Sequence, residues 1–538
     1  MNALVPMPVL LSLLGCAVTL ALGHRPKPQR VVSLAVLTAV AVTAVALLVL
    51  ASTEGPQHVT IGGWPAGIGI SLVADRLSAL LLTTSCVVTL AVMVFSIGQG
   101  RTDDAEATPV SIYHPTYLAL TAGVCIAFLA GDLFNLYVGF EVLLTASYVL
   151  FTLGGSGRRI RAGATYVVVS LVSSLVFLTG IGLVYTATGT VAMADLPGRL
   201  AALPTEVSTA LQLVLLVAFG IKAAAFPLGG WLPDSYPTAA APVAAVFAGL
   251  LTKVGVYALI RTHDLLFGSD TLRTLFMAVA LATLVVGILG AVAQHDLRRL
   301  MSFTLVSHIG YMLFGIALGS PAGLAATVFY AVHHILVQTA LFLAVGLVEE
   351  RAGTTSLRRL GGLATAAPGT ALLFLLPALN LAGIPPFSGF LGKLALLRAG
   401  VADGRWDAWV LVVASVLTSL LTLYAIARAW SAVFWRGRWG FADGRDEAAE
   451  EETAGEQSSD ERSTDEHGAG GRPPRRTTLA ATTGVVVVVT ALSLVAGPLL
   501  RTAEGAAADT RDAGQYQRVV GGVDVDGAAE DVDDGGGP

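Results

Sequence analysis

Long apolar runs recur along nearly the whole chain, and they constrain its fold more than any other feature. A helix needs about 17–25 apolar residues to cross a hydrocarbon core of about 30 Å. We count fourteen such runs. Because no water inside a bilayer can satisfy backbone groups, spans of this length must be helices. The candidate spans are 3–22, 31–51, 72–98, 115–131, 133–153, 164–188, 207–226, 241–261, 271–293, 300–318, 322–348, 368–392, 407–433 and 477–500.

Composition agrees with an all-α polytopic membrane protein. The chain is 54% hydrophobic and 13% charged, and its mean hydropathy of +0.74 lies far outside the soluble range. The three cysteines all sit in apolar stretches without pairing or metal-ligand spacing, which argues against a disulfide framework and a metal or iron–sulfur site. We find no phosphate loop, dinucleotide fingerprint or nucleic-acid patch, so we expect no cofactor and no nucleic acid. The cysteines are Cys16, Cys86 and Cys125.

The distribution of basic residues predicts the orientation. No basic residue precedes the first span, so it is not a cleavable signal peptide and should be retained. Loops after even-numbered spans hold few basic residues, among them Arg199, Arg261, Arg273 and Arg405. This bias places the odd loops in the cytoplasm and both termini outside. Loops after odd-numbered spans hold Arg25, Lys27, Arg30, Arg101, Arg158, Arg159, Arg161, Arg298, Arg299, Arg351, Arg358, Arg359 and a cluster around Arg436 and Arg472.

Two spans, the seventh and the twelfth, are interrupted by proline and glycine. Pro227 breaks the first, and Pro385 and Pro386 break the second. Prolines delete backbone donors, so carbonyls are left free at membrane depth, and in transporters such breaks mark the ion site. Both breaks contain Pro-x-x-Gly-aromatic-Leu, at an offset of 159 residues. Five spans separate them, so the second copy crosses in the opposite sense, which predicts two inverted five-helix repeats.

These patterns divide the chain into six segments. We predict amino-terminal helices 1–3 over 1–113, a first repeat (helices 4–8) over 114–261 and a second repeat (helices 9–13) over 271–433. An acidic, disordered cytoplasmic loop over 434–476 follows, then helix 14 over 477–500 and a disordered acidic tail over 501–538.

Lysine is rare, and its placement points to proton chemistry. Only four lysines occur, and Lys222, Lys253 and Lys393 lie inside apolar runs, whereas the charged loops use arginine. A guanidinium stays charged, but a desolvated lysine can release and regain its proton. Lys253 has twelve residues of its span before it and eight after, which disfavours the alternative of a lysine snorkelling to the surface.

Other ionisable residues within spans join these three lysines in what we call the row, a series of titratable side chains inside the membrane. Glu141 lies about 13 Å into the fifth span, and Lys222 is its expected partner; the alternative is a pair that only holds helices together. His308 could relay protons between lysines, although a satisfied core histidine is the alternative. His334 shares a helix face with Gln338 at i, i+4. The expected proton-translocating residues are Glu141, Lys222, Lys253, His308, His333, His334 and Lys393.

Three aspartates near span ends have simpler interpretations. Asp132 and Asp234 are expected to cap helices or serve loops. Asp75 and Arg76 open the third span and are interpreted as an interfacial ion pair.

Four motifs resemble one known family. They start at Gly131, Lys222, Phe247 and Gly383 and run GDLFNLYVGFE, KAAAFPLGGWLPD, FAGLLTKVG and GIPPFSGFLGK. These motifs are similar to those of the proton-translocating, antiporter-like subunits of respiratory complex I and of the Mrp (multiple resistance and pH) cation/proton antiporters. The stretch 233–243 and the overall length most resemble Mrp D subunits. The resemblance covers about 70–430.

The resemblance implies a fold of about fourteen helices with inverted repeats, in which the matching glutamate and lysines carry protons along a hydrated axis. It implies partner subunits in a prokaryotic plasma membrane. Gln338 departs from the family, because lysine is common at its position and glutamine cannot titrate. Either the histidines take over the relay there, or coupling through the second half is altered.

Three functions follow as hypotheses. The first is the proton-translocating subunit of a multi-subunit Na⁺/H⁺ antiporter, a transporter without catalytic residues of its own. The second is a pumping membrane subunit of an NADH–quinone or hydrogenase-type oxidoreductase, whose redox centres would lie on other subunits. The third is an autonomous single-chain transporter, which the implied partners disfavour.

Overall fold

The fold is almost entirely helical, as the apolar runs predict. A computed structural model describes residues 2–64, 69–100, 110–154, 157–268, 270–436 and 474–521. Within these ranges, twelve helices are long and apolar enough to cross a membrane, and two shorter helices are also apolar, Met7–Ala21 and Pro368–Ala382. The all-α membrane fold is therefore confirmed, whereas the count of fourteen spans stays a prediction.

The helices follow the chain order of the predicted spans, with short extra helices between them. The first ten are α1 Met7–Ala21, α2 Pro26–Thr53, α3 Arg76–Gln99, α4 Val110–Leu129, α5 Leu133–Thr152, α6 Gly157–Thr188, α7 Leu196–Ala201, α8 Thr205–Ala223, α9 Trp231–Ser235 and α10 Ala241–Ile260. The next ten in the described residues are α11 Arg273–Val292, α12 Leu297–Ala317, α13 Pro321–Ala352, α14 Leu363–Ala366, α15 Pro368–Ala382, α16 Ser388–Asp403, α17 Trp406–Trp430, α18 Arg476–Leu494, α19 Ala496–Arg511 and α20 Ala513–Gly521.

Short irregular elements join these helices. A π-helical turn, Arg261–Phe267, continues α10, and a second, Ser431–Trp435, continues α17. Strands β1 Gln57–Thr60 and β2 Ser71–Ala74 form an antiparallel ribbon in which Gln57 lies opposite Ala74. The ribbon leads directly into α3, whose first turn Asp75 caps by accepting a hydrogen bond from the Ser78 backbone N–H.

The core lies around α10, α12 and α13. The apolar windows of α10 and α13 are entirely buried in the protein, and that of α12 nearly so. In contrast, α2 and α6 present large apolar side chains outwards, among them Val168, Leu171 and Leu175 of α6. A surface of this kind suits contact with lipid. Polar residues on α10, α12 and α13 are therefore kept away from lipid by the surrounding helices.

Both predicted helix breaks are confirmed. The first lies between Ala223, where α8 ends, and Trp231, where α9 begins. The second lies between Ala382, where α15 ends, and Ser388, where α16 begins. The Phe226–Pro227 and Pro385–Pro386 peptide bonds are both cis, so each break has its cis proline in the shared Pro-x-x-Gly motif.

Two helix hairpins, α4–α5 and α11–α12, share details at a constant offset. Asp132 caps α5 and forms an isolated bridge with Ala192; Asp296 caps α12 and forms one with Ser356. A Cβ on Gly123 would clash with the backbone nitrogen of Leu143, and one on Gly287 would clash with that of Ser307. Each matching pair is 164 residues apart. The internal repeat stays a prediction, which these details favour.

The predicted disorder of the tail is wrong for residues 501–521. They belong to α19 and α20, which pack on the bundle. The acidic, polar composition of the tail hides an alanine face, because Ala503, Ala506 and Ala507 are fully buried. Two of its charges, Asp509 and Arg511, are paired with Arg76 and Asp264. Residues 522–538 lie outside the described residues, as do 437–473 of the predicted acidic loop.

Candidate functional site

The three lysines of the apolar runs are all buried. The exposed fraction is 6% for Lys222, 1% for Lys253 and 5% for Lys393. An amine removed from water needs hydrogen-bond acceptors from the protein. The fold supplies a different set of acceptors to each lysine.

Lys222 lies in the last turn of α8, just before the first break. Its Nζ donates to Ser174 Oγ at 2.9 Å and to the Ser170 carbonyl at 3.5 Å, both on α6. The ammonium also lies 5.4 Å from the centre of the Phe140 ring. Lys222 lines a cavity of about 20 Å³ with Tyr166, among others. That is room for about one water molecule.

Glu141 and Lys222 do not form the predicted ion pair. Within the described residues, no cation lies in salt-bridge distance of Glu141, and its Oε1 is buried without a hydrogen-bond partner. Its side chain instead lines a groove of about 530 Å³ between α1, α4 and α5, together with Cys16 and Pro115. The two charges still interact electrostatically through space. A direct transfer between them would need a side-chain rotation or a bridging water.

Lys253 lies in the middle of α10, at the centre of the protein. Its Nζ donates to the Ala248 carbonyl of its own helix at 2.6 Å. The ammonium acts electrostatically on His334 of α13 and on His308 of α12. The snorkelling alternative is therefore wrong, because Lys253 is buried inside the bundle.

The histidines form one cluster between α12 and α13. The rings of His308 and His334 stack with centres 5.2 Å apart. His308 Nδ1 lies 2.7 Å from the Tyr330 hydroxyl, and His333 Nδ1 lies 3.0 Å from the Ser388 hydroxyl. Within the described residues, Nε2 of all three and Nδ1 of His334 have no hydrogen-bond partner. Buried nitrogens in folded proteins are satisfied by protein or by water, and water is what fits here.

Lys393 fills the gap that the second break leaves. In a regular helix the carbonyls of Leu381 and Ala382 would accept from the backbone nitrogens four residues later, which belong to Pro385 and Pro386 and carry no hydrogen. Lys393 Nζ donates to these two carbonyls at 3.0 and 3.1 Å. It also donates to Ser419 Oγ at 3.0 Å. The carbonyls that the sequence predicts to be free thus accept hydrogen bonds from the Lys393 amine.

Gln338 lies one helical turn after His334 in α13 and is fully buried, on the helix face that the spacing predicts. Its Nε2 donates to the Met301 carbonyl at 2.8 Å, while its Oε1 has no partner in the described part of the chain. The Gln338 amide therefore lies in the row but cannot itself gain or lose a proton.

Sequence reasoning missed two tyrosines that contact the row, Tyr330 through its hydroxyl and Tyr311 through its ring. Tyr330 donates to or accepts from His308, and the Tyr311 ring centre lies 5.1 Å from Lys393 Nζ. The helical spacing of Tyr330, His334 and Gln338 at i, i+4, i+8 was a signal that could have found the first.

One aspartate near a span end has a partner that differs from the prediction. Asp75 pairs with Arg261 and not with Arg76, so the predicted interfacial ion pair between Asp75 and Arg76 is wrong. Asp132 caps α5, as predicted, by accepting from the Asn135 backbone N–H at 2.6 Å. Over the ranges that the structure describes, no group of three or more metal-ligating side chains forms.

Comparison with known proteins identifies the family of the chain. The family described as "NADH:quinone oxidoreductase/Mrp antiporter, TM" matches residues 130–422. The D subunits of the Na⁺/H⁺ antiporters of Alkalihalophilus pseudofirmus and Bacillus subtilis are each 37% identical over 438 residues, covering 81% of this chain and 87% of theirs.

A solved structure extends the likeness to nearly the whole chain. One chain of the Mrp complex from Dietzia sp. is 33% identical, with a TM-score of 0.86, and the match covers 97% of this chain and 100% of that one. The matched region of the family contains the broken helices and the buried lysines described above. The chain therefore belongs to the family of NADH:quinone oxidoreductase and Mrp antiporter membrane subunits.

Proposed function

We propose that this chain is the proton-translocating subunit of a multi-subunit Na⁺/H⁺ antiporter. Its relatives named as antiporter subunits support the transport class and the presence of partner subunits. The observation that carries the proton-translocating role is the buried row of amines and imidazoles with unpartnered nitrogens. Ionisable residues within a membrane are costly and usually mark ion pathways.

The row offers a route for protons in both halves of the protein. It runs from Glu141 and Lys222 through Lys253 to His334, His308 and His333, and ends at Lys393. Each imidazole can accept a proton on one nitrogen and release one from the other, so the cluster can pass a proton without net change. The unpartnered nitrogens mark where water would connect neighbouring groups.

Glu141 and Lys222 are proposed to act as the switch at the first end. A nearby carboxylate favours a protonated lysine, and moving it away favours release of the lysine's proton. The separation of the two side chains corresponds to the released arrangement, and Ser170 and Ser174 hold the amine there.

In the middle of the second repeat, protons are proposed to pass through histidines instead of a lysine. Gln338 cannot carry a proton, but it lies beside His334 and can orient a water toward it. The stacked pair of His308 and His334 is then the connection between Lys253 and Lys393. This assigns the relay to the histidines, the first of the two alternatives that the sequence left open.

The membrane topology and the exchanged cation complete the proposal. The protein spans a prokaryotic plasma membrane with both termini outside, as the distribution of basic residues predicts. Na⁺ is the exchanged cation named for the D-subunit relatives.

Transport by the whole complex tests the role of the row. In inverted vesicles, Na⁺ should collapse an imposed pH gradient, and Glu141→Gln or Lys222→Ala should abolish the collapse. Lys27→Ala is the matched control, because Lys27 is exposed outside the bundle. Normal exchange in both site variants, with the complex present at normal amounts, would refute the assignment.

A second candidate is a pumping subunit of an NADH–quinone oxidoreductase, because the family includes such subunits. The co-purifying subunits decide between the two. Flavin or iron–sulfur absorbance in the purified complex would favour the oxidoreductase, and a colourless complex with Na⁺-driven proton movement would favour the antiporter.

A further inference from the structure

Three arginine–aspartate pairs lie together at one end of the bundle, outside the row described above. Asp75 pairs with Arg261. The distance is 2.9 Å between Arg76 Nη1 and Asp509 Oδ1, and 3.1 Å between Arg511 Nη1 and Asp264 Oδ1. The pairs join α3 to the π-helical turn after α10, α3 to α19, and that turn to α19. We call this closed set the aspartate–arginine ring; its members are Asp75, Arg76, Arg261, Asp264, Asp509 and Arg511.

The carboxy-terminal helices are held in place by the ring. α19 supplies Asp509 and Arg511. Without it Arg76 would keep only its hydrogen bond to the Ser52 carbonyl, and the buried Asp264 would lose its ion-pair partner. An unpaired buried charge is strongly destabilising. Gly505 leaves room for the contact, because a Cβ there would lie 3.2 Å from Arg76 Nη1.

A polar column on α10 connects the ring to the row. Lys253, Tyr257 and Arg261 follow one another at i, i+4 and i+8, so they lie on one helix face. Eight residues place Arg261 about 12 Å along the axis from Lys253. Arg261 Nε donates to the Tyr257 hydroxyl at 3.1 Å, and that hydroxyl donates to the Phe128 carbonyl at 2.8 Å.

The end of the column is covered by α20. The ring of Tyr516 lies over the Arg261 guanidinium, with 5.7 Å between Cζ and the ring centre. Burial raises the pKa of Tyr516 and that of Asp509. Four buried atoms here have no partner among the described residues, namely Arg261 Nη1, Asp264 Oδ2, Asp509 Oδ2 and the Tyr516 hydroxyl. Water is the partner that such atoms take in folded proteins, so this covered place can be hydrated.

We propose that α19 and α20 form a cap over the α10 end of the proton path, and that opening of the aspartate–arginine ring sets how fast protons pass between Lys253 and the aqueous phase at that face. This inference rests on the proposed function for the path, but the cap itself can be tested separately. With both termini outside, the cap faces the outer aqueous phase.

Cysteine accessibility tests whether the ring closes the cap. Thr510 lies on the buried face of α19, and Thr510→Cys in the assembled complex reports its exposure to a membrane-impermeant maleimide. Cys16, which is half-buried, is replaced by serine; Cys86 and Cys125 are buried. In right-side-out vesicles we expect slow labelling, and labelling about tenfold faster in Arg511→Gln and in Arg76→Gln. Unchanged labelling in both would overturn the cap.

Two comparisons separate loosening of the cap from general damage. Glu504→Gln is the matched control, because Glu504 is an exposed carboxylate of α19 without a salt bridge in the described ranges; its labelling should equal that of the parent. The pair Arg76–Asp509 is tested with Arg76→Gln, Asp509→Asn and both together. If the pair closes the cap, the double variant labels no faster than Arg76→Gln. Additive effects would contradict the proposed closure.

Transport tests whether the cap acts on the path. Arg511→Gln should change the initial rate of Na⁺-driven proton movement by severalfold, and Glu504→Gln should leave it unchanged. Faster labelling with unchanged transport would overturn the role of the cap in the path. Failure of the path itself is distinguishable, because it would appear as normal transport in Lys222→Ala and Glu141→Gln.

Discussion

Replacing Lys253 with methionine separates a functional amine from a structural one. Lys253 is 1% exposed and its Nζ makes one hydrogen bond within the described part of the chain, to the Ala248 carbonyl. A hydrogen bond to a charged group contributes about 1.5–3 kcal/mol. Removing an ammonium from water costs several kcal/mol. Methionine keeps the length of the stem and its packing, and the Ala248 carbonyl stays bonded within α10.

Taken together, these free energies make the folded Lys253→Met variant at least as stable as the parent. Replacing buried charge by an apolar side chain of similar volume is often neutral or stabilising, by about 1–4 kcal/mol. We therefore expect the Lys253→Met complex to unfold at the same temperature as the parent or higher, while Na⁺-driven proton movement falls to background. A site that keeps a costly group for its function shows this trade-off.

Thermal unfolding of the purified complex and pH-gradient collapse in vesicles measure the two quantities. Lys27→Met is the control, because Lys27 is exposed, and neither quantity should change. A variant that loses stability by several kcal/mol but still transports protons would show that Lys253 serves only to hold the helices.

Three further predictions concern other parts of the protein. Gly389→Ala should impair transport and assembly, because the added Cβ would overlap the Asn380 carbonyl oxygen and must displace the start of α16. Gly369→Ala is the control: a Cβ there has no atom within 4 Å, so transport and assembly should not change. Tyr330→Phe should cost about 1–3 kcal/mol and slow proton movement, because His308 Nδ1 loses its 2.7 Å partner, as thermal unfolding and vesicle assays will show. Burial raises the pKa of Asp132, partly offset by backbone hydrogen bonds, so the folded state holds this proton more tightly. Stability relative to Asp132→Asn should therefore rise as the pH falls through the raised pKa toward about 4, and an opposite slope would contradict the burial argument.

The helices and their breaks could be predicted because they depend on local properties. Apolar runs of sufficient length must be helical in a bilayer, and a proline removes its own donor wherever it stands. The buried lysines followed from the same reasoning, since their neighbours in sequence already exclude water.

Contacts between helices could not be predicted, because they depend on how each helix is rotated about its axis. Glu141 faces a groove toward α1 and α4, whereas Lys222 faces the serines of α6. Asp75 finds Arg261 across 186 residues, although Arg76 is its neighbour in sequence. The helicity of α19 was missed because average composition hides an alanine face and two paired charges.

The two ends of the row differ in what surrounds the amine, and this difference has a consequence for reversibility. Lys393 is held by the oxygen dipoles of two peptide groups and a serine, none of which can itself be protonated in water-like conditions. These ligands attract an ammonium without competing for its proton. A proton that leaves Lys393 must therefore move to another titratable group or to solvent. At Lys222 the ligands are a serine hydroxyl and a peptide carbonyl, and Glu141 lines a separate groove, so a proton can reach that carboxylate only through a side-chain rotation or a bridging water.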